Sequence, residues 1–254
     1  MDEPGHATNA GLNAALEKFF SRKMVAWARS ASIEHRTMPP PLTIERLQLE
    51  AALFAQKESN HAERSLFGVT DGKAVGTYLE HKFKAHVQAS YRCKAGNSAA
   101  GIDFPELGVD VKVTSIRQPQ SSCPFKDAGQ KIYGLGYSLL IFVYEKKDDA
   151  KAKKARLNIL HTVFVEKERT ADYQTTTGLR RLLENKANRD DVLAFFQERM
   201  LPLDEVSATA LAEKVLRMPP EIGYLTVSNA LQWRLQYTRV IEKAGSVDGL
   251  LKLA

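Results

Sequence analysis

Gly101-Ile102-Asp103-Phe104-Pro105-Glu106-Leu107-Gly108-Val109-Asp110-Val111-Lys112 reads as a tight β-hairpin. The first strand is expected over 102–104, the turn over 105–108, and the second strand from 109 to about 114. In the second strand Val109, Val111 and Val113 alternate with Asp110, Lys112 and Thr114, so the valines share one face and the polar residues the other. If Phe104 faces Val109 across the turn, Asp103 lies opposite Asp110. Opposed like charges cost roughly 0.2–1 kcal/mol on an exposed sheet, and desolvation makes them costlier. The arrangement is sustained only if a cation sits between them. Two carboxylates with an adjacent lysine are what divalent-metal phosphodiester hydrolysis requires. The bland alternative is an exposed hairpin with solvated charges.

Upstream, Gly76-Thr77-Tyr78-Leu79-Glu80-His81-Lys82-Phe83 opens a helix that runs to about Ala89. Leu79, Phe83 and Val87 recur at i, i+4 and i+8, the spacing of a buried stripe. Glu80 borders that stripe and needs a partner; Lys84 at i+4 is one candidate. His81 and His86 are expected to face solvent or phosphate rather than a metal.

Downstream, residues 121–127 form a Pro-containing loop, and 128–134 a short helix stopped by glycine. On that helix Gln130 and Lys131 read as a solvated face, with phosphate contact as the second option. Leu139-Leu140-Ile141-Phe142-Val143-Tyr144 is a continuous apolar run of strand length, expected at the centre of a sheet covered on both sides. A basic stretch, 146–156, reads as a charged loop or a DNA-backbone contact, and a further strand follows over 157–165.

Asp103, the short spacer and Asp110-Val111-Lys112 resemble the Asp…(Asp/Glu)-x-Lys signature of the PD-(D/E)xK nucleases. The wording around it is similar to type II restriction endonucleases and to the mismatch-repair nicking enzyme of the same superfamily. The signature spans about a dozen residues and its supporting context about a hundred; Ile102 stands where many members carry proline. The resemblance implies an α/β (α+β) fold, a restriction-endonuclease-like core of a mixed β-sheet flanked by helices. It implies Mg²⁺, with Mn²⁺ as a substitute, held by Asp103, Asp110, the main-chain carbonyl of Val111 and Glu80 or its water. Lys112 would then position or help activate the attacking water.

The chain has 254 residues, a formal net charge of +6 and two cysteines, Cys93 and Cys123. A basic balance suits a polyanionic partner. Two cysteines without a C-x-x-C pair read as free thiols rather than a zinc site. The N-terminus shows no basic-then-apolar leader, and no apolar run approaches the ~20 residues of a membrane span. A cytoplasmic location is the expectation.

Flanking helices are expected over 12–31 and 43–57, separated by Pro39-Pro40-Pro41. Four more are expected over 177–186, 190–199, 206–217 and 227–243. On the last of these Asn229, Gln232, Gln236, Arg239 and Lys243 would share one stripe able to read bases, or form a plain polar face. Trp233 and Tyr237 read as packing or interface aromatics. The expected organisation is an N-terminal helical region (1–64), a catalytic core (65–170) and a C-terminal helical region (171–254) packed on the core. The resemblance implies a Mg²⁺-dependent type II restriction endonuclease that cleaves double-stranded DNA at a short site, as a homodimer. A repair nuclease or nickase of the same superfamily, and a non-catalytic DNA-binding protein on the same scaffold, are the alternatives.

Overall fold

A computed structural model describes residues 38–94, 96, 101–227 and 234–254. The expected helix over 12–31 lies outside the described residues, as do Asn229, Gln232 and Trp233. Residues 40–254 form one compact unit.

The sheet is organised around the apolar run. Strand β4 (Ser138–Asp149) carries Leu140, Phe142 and Tyr144 into one hydrophobic core, and Leu139, Ile141 and Val143 into another on the opposite face. A strand buried on both faces needs neighbours on both edges. It has β5 (Lys154–Val165), antiparallel, and β2 (Val109–Ser115), parallel. The short β1 (Ala62–Glu63) and β8 (Leu250–Lys252) both pair with β5, giving a five-stranded mixed sheet with β2 at one edge. This is the mixed, helix-flanked sheet that the resemblance implies.

The basic stretch is not a loop. Strands β4 and β5 continue as a paired hairpin until Asp149↔Lys154, because residues 146–149 and 154–156 keep the ladder intact, and only 150–153 turn. Its lysines are partly neutralised on the strand itself: Lys147 meets Glu145 at 2.8 Å, and Lys146 is paired with Asp148.

Helices α1 (Ile44–Ser59) and α2 (Gly72–Ser90) cover one face. Thr43 Oγ1 accepts from Arg46 N–H to cap α1, and Asp71 accepts from Lys73 and Ala74 N–H to cap α2. That aspartate starts α2 four residues earlier than the apolar spacing alone predicts. Phe54, Phe83 and Phe142 interlock edge-to-face, with Phe83–Phe142 centroids at 5.0 Å. Between β2 and β4 the chain makes β3 (Gln120–Ser122) and the short helix α3 (Ala128–Tyr133), which Gly134 ends at φ 84°. Lys131 on α3 is buried, not solvated, because α4 (Tyr173–Glu184), α5 (Arg189–Glu198) and α6 (Glu205–Arg217) close a third core around that helix.

Among the described residues the expected helix over 227–243 is not continuous. In its place stand β6 (Thr226–Val227), β7 (Arg234–Gln236) and a short α7 (Thr238–Lys243). Strands β3, β7 and β6 make a small antiparallel sheet. Leu235 and Tyr237 are fully buried while Arg234 and Gln236 stay partly exposed, a period of two that belongs to a strand. Gln236 therefore does not share a helical stripe with Arg239 and Lys243. Arg239 instead stacks its guanidinium 3.8 Å from the Tyr173 ring centroid.

Candidate active site

The polar face of β2 and the rim of α2 meet at the open edge of the sheet. In α2 the buried stripe is Val75, Leu79, Phe83 and Val87. Glu80 and Lys84 each follow a stripe residue by one position, which rotates them about 100° from the core and onto the helix rim. In β2 the valines point into the core under α2, and Asp110 and Lys112 leave by the other face.

The hairpin is shorter than expected. Phe104 and Val109 exchange main-chain hydrogen bonds of 2.9 and 3.2 Å around a turn closed by Gly108 at φ 60°. Beyond that single bridge no first strand forms. A continued ladder would give Val111 N–H to the carbonyl of Ile102; the Asp103 carboxylate takes it instead, through Oδ2 at 2.8 Å. Phe104, 1% exposed and edge-to-face with Phe83 at 6.2 Å, anchors this segment in the core. The outcome is the expected juxtaposition of Asp103 with Asp110, both buried.

The charges around them are specific. Lys112 Nζ lies 2.6 Å from Asp110 Oδ2. Lys84 Nζ lies 2.8 Å from Glu80 Oε1 and is also paired with Asp103 Oδ1. Burial pushes the Asp110 carboxyl up to about 6 against the pull of the Lys112 ammonium, and the neighbouring Asp103 adds to the rise. Burial would raise Asp103 too, but Lys84, a hydrogen bond from Asp110 and the Val111 N–H together hold it below the usual carboxylate range. The two carboxyls therefore titrate as a coupled pair, with Asp110 losing its proton after Asp103. Desolvation works to lower Lys84, and its hydrogen bonds to Asp103 and Glu80 outweigh it and raise the ammonium. Burial likewise lifts the Tyr137 phenol to about 12, with the Asp110 charge adding to it.

These donors fit a hard divalent cation. Asp103 and Asp110 offer carboxylate oxygens. The Val111 carbonyl leaves an extended strand on the same edge as its N–H, which is the edge facing Asp103. Mg²⁺ is commonly held by one or two carboxylates, with water completing the octahedron. Among the described residues no three His, Cys, Asp or Glu side chains converge closely enough to bind a metal unaided. Glu80 is drawn to Lys84 rather than to the aspartate pair. Glu80 forms the i, i+4 pair with Lys84, and Lys84 in turn holds Asp103.

His81 is exposed as expected, whereas His86 turns to Glu50 at 2.8 Å, a carboxylate also bonded by Tyr91 Oη at 3.0 Å. Lys84 is the site residue that sequence reasoning undervalued. Its spacing from Glu80 was legible; its reach to Asp103 depends on how α2 lies across the edge of β2. Tyr137 and the fully buried Tyr237, whose hydroxyl meets Ser121 Oγ at 2.6 Å, carry no sequence signal for their closeness to Asp110.

A family model described as Type II restriction enzyme NspV matches residues 41–252. The chain is 62% identical over 210 residues to the Type II restriction enzyme NspV of Nostoc sp. (strain ATCC 29411 / PCC 7524), an alignment covering 83% of this chain and 96% of that protein. No solved structure matches. The match takes in both aspartates, Lys112 and nearly every element described above, and the chain belongs to the NspV family of type II restriction enzymes.

Proposed function

We propose that this protein is a type II restriction endonuclease that hydrolyses double-stranded DNA at a short specific site with the help of Mg²⁺. The observation that carries the reading is the buried Asp103–Asp110 pair at an open sheet edge, with Lys112 against Asp110. A like-charged buried pair is costly as structure and useful as a cation seat. Asp103, Asp110 and the Val111 carbonyl would hold the metal, and Glu80 would join them through water. When bound, the metal supplies charge stabilisation for the phosphorane-like transition state and lowers the pKa of water.

The remaining roles belong to the chain. Lys112, anchored on β2 beside Asp110, presents an ammonium to the scissile phosphate and orients the attacking water for in-line displacement, leaving a 3′-hydroxyl. The Val111 N–H fixes the Asp103 carboxylate, so its orientation does not depend on the ligand. The net charge of +6 favours association with the DNA backbone. Acting on a palindromic site, the protein would work as a homodimer in the cytoplasm, its two-fold axis matched to that of the DNA.

The test is cleavage of phage and plasmid DNA with roughly 10 mM Mg²⁺, an excess over a weak site, beside EDTA and Lys112→Ala controls. Discrete bands that require Mg²⁺ and vanish in Lys112→Ala are expected. Intact DNA under all conditions, with salt-sensitive binding retained, would overturn the catalytic reading.

A further inference from the structure

Lys84 has no part in the signature residues, yet it is less exposed than its neighbour Lys82 and bridges two carboxylates. Its side chain is 16% exposed, and its ammonium is clamped between Glu80 Oε1 at 2.8 Å and Asp103 Oδ1. Asp103 thereby has both oxygens engaged, Oδ2 by the Val111 N–H and Oδ1 by Lys84. A divalent cation cannot share Oδ1 with an ammonium at contact distance without strong repulsion. Glu80 is tied to the same ammonium, which accounts for the absence of a three-carboxylate cluster among the described residues.

We propose that Lys84 is a positioning residue that serves as an internal counter-cation of the metal site. It keeps Glu80 and Asp103 in place while the enzyme is free of DNA, and it competes with the divalent cation for Asp103 Oδ1. Three carboxylates (Glu80, Asp103, Asp110) face two ammonium groups (Lys84, Lys112), so the lysines offset most of the negative charge and the site attracts a free cation weakly. Uptake of the metal requires the Lys84 ammonium to leave Asp103. A DNA phosphate arriving at the site offers that ammonium another anion. Metal loading is thus coupled to substrate, which restrains the enzyme when no DNA is bound. This inference rests on the reading of Asp103 as a metal-holding residue.

The experiment is Mn²⁺ binding to the full-length, DNA-free protein, followed by loss of the free-ion EPR signal, for wild type, Lys84→Met, Lys84→Arg and Lys84→Met/Asp103→Asn. Lys84→Met keeps the aliphatic stem and deletes the charge, and its melting temperature is checked against wild type. The expected result is about tenfold or more tighter Mn²⁺ binding in Lys84→Met. Lys84→Arg is expected to remain near wild type, and the double variant to lose the gain. Lys84→Gln serves as the charge-deleting variant if Lys84→Met is unstable. Unchanged or weaker Mn²⁺ binding in a folded charge-deleted variant overturns the proposal while leaving the metal reading of Asp103 intact. If no variant takes up Mn²⁺ even when DNA is added, the metal reading itself fails, and the role of Lys84 with it.

Discussion

Phe104→Ala tests whether the core positions Asp103, the carboxylate proposed to hold the metal. The ring is 1% exposed, stacks edge-to-face on Phe83 at 6.2 Å, and belongs to the residue that closes the hairpin with Val109. Truncating a buried phenylalanine costs about 3–5 kcal/mol, combining lost transfer energy with a residual cavity. Against a total stability of about 5–15 kcal/mol this is a large fraction. At about 2–4 °C per kcal/mol for a chain of this size, the midpoint should fall by about 6–20 °C. Asp103 is the adjacent residue, and its carboxylate is aligned by a single main-chain donor, Val111 N–H. Displacement of a reacting group by about 1 Å can cost a hundredfold in rate. Cleavage measured well below the new midpoint should therefore drop by about that factor, beyond any loss of folded protein. Calorimetry and single-turnover cleavage, with Phe104→Leu as the milder variant, read the two effects separately. A loss under about 1 kcal/mol would refute the anchoring role. A destabilised variant that still cleaves at the wild-type rate would show that Asp103 is positioned without Phe104.

Two further substitutions probe how the C-terminal half is fastened to the sheet. A Cβ at Gly223 would stand 2.1 Å from the Ala171 carbonyl oxygen, a backbone atom that cannot step aside, so Gly223→Ala is expected to unfold at markedly lower urea or to be recovered insoluble; a wild-type urea midpoint would contradict the close approach. Asp172 is buried and accepts from Thr175 N–H at 2.9 Å, Thr175 Oγ1 at 2.7 Å and Val227 N–H at 2.9 Å, capping α4 and holding β6 at once. Asp172→Ala should cost about 2–6 kcal/mol, at roughly 1–3 kcal/mol for each of the two orphaned main-chain donors, with Asp172→Asn recovering part of it; an equilibrium urea loss below about 1 kcal/mol would count against this double role.

Local signals were readable where one physical cause dominated. The run from Leu139 to Tyr144 is apolar on both parities, short, and rich in β-branched and aromatic residues, which suits a strand covered on two faces. The α2 stripe is equally plain, whereas the helix start at Gly72 is set by the Asp71 N-cap, which lies outside the apolar period. Polar residues at steps of three and four suggest a helix over 227–243, whereas the alternation in Arg234-Leu235-Gln236-Tyr237 is that of a strand. There Leu235 and Tyr237 are fully buried. In a short segment the two periods overlap, and pairing with β3 decides between them, a contact 116 residues away for the Ser121–Tyr237 bond.

The candidate site shows the same division between local and non-local causes. Opposed aspartates imply a cation, and that inference needs only strand alternation and Coulomb's law. Which cation answers them is set by tertiary geometry. Lys112 reaches Asp110 along its own strand, a local outcome. Lys84 reaches Asp103 because Phe83 pins that turn of α2 against Phe104, so that the residues following Phe83 and preceding Phe104 meet at the rim. The same aromatic contact thus secures the core and brings the ammonium to the carboxylate. For this reason Phe104→Ala should loosen the Lys84–Asp103 pair as well as the fold. Any DNA-free Mn²⁺ affinity gained by Lys84→Met should then be smaller when Phe104→Ala is added, since the competitor has already been displaced in part. Full additivity of the two changes would separate the anchor from the counter-cation and break this link between packing and site electrostatics.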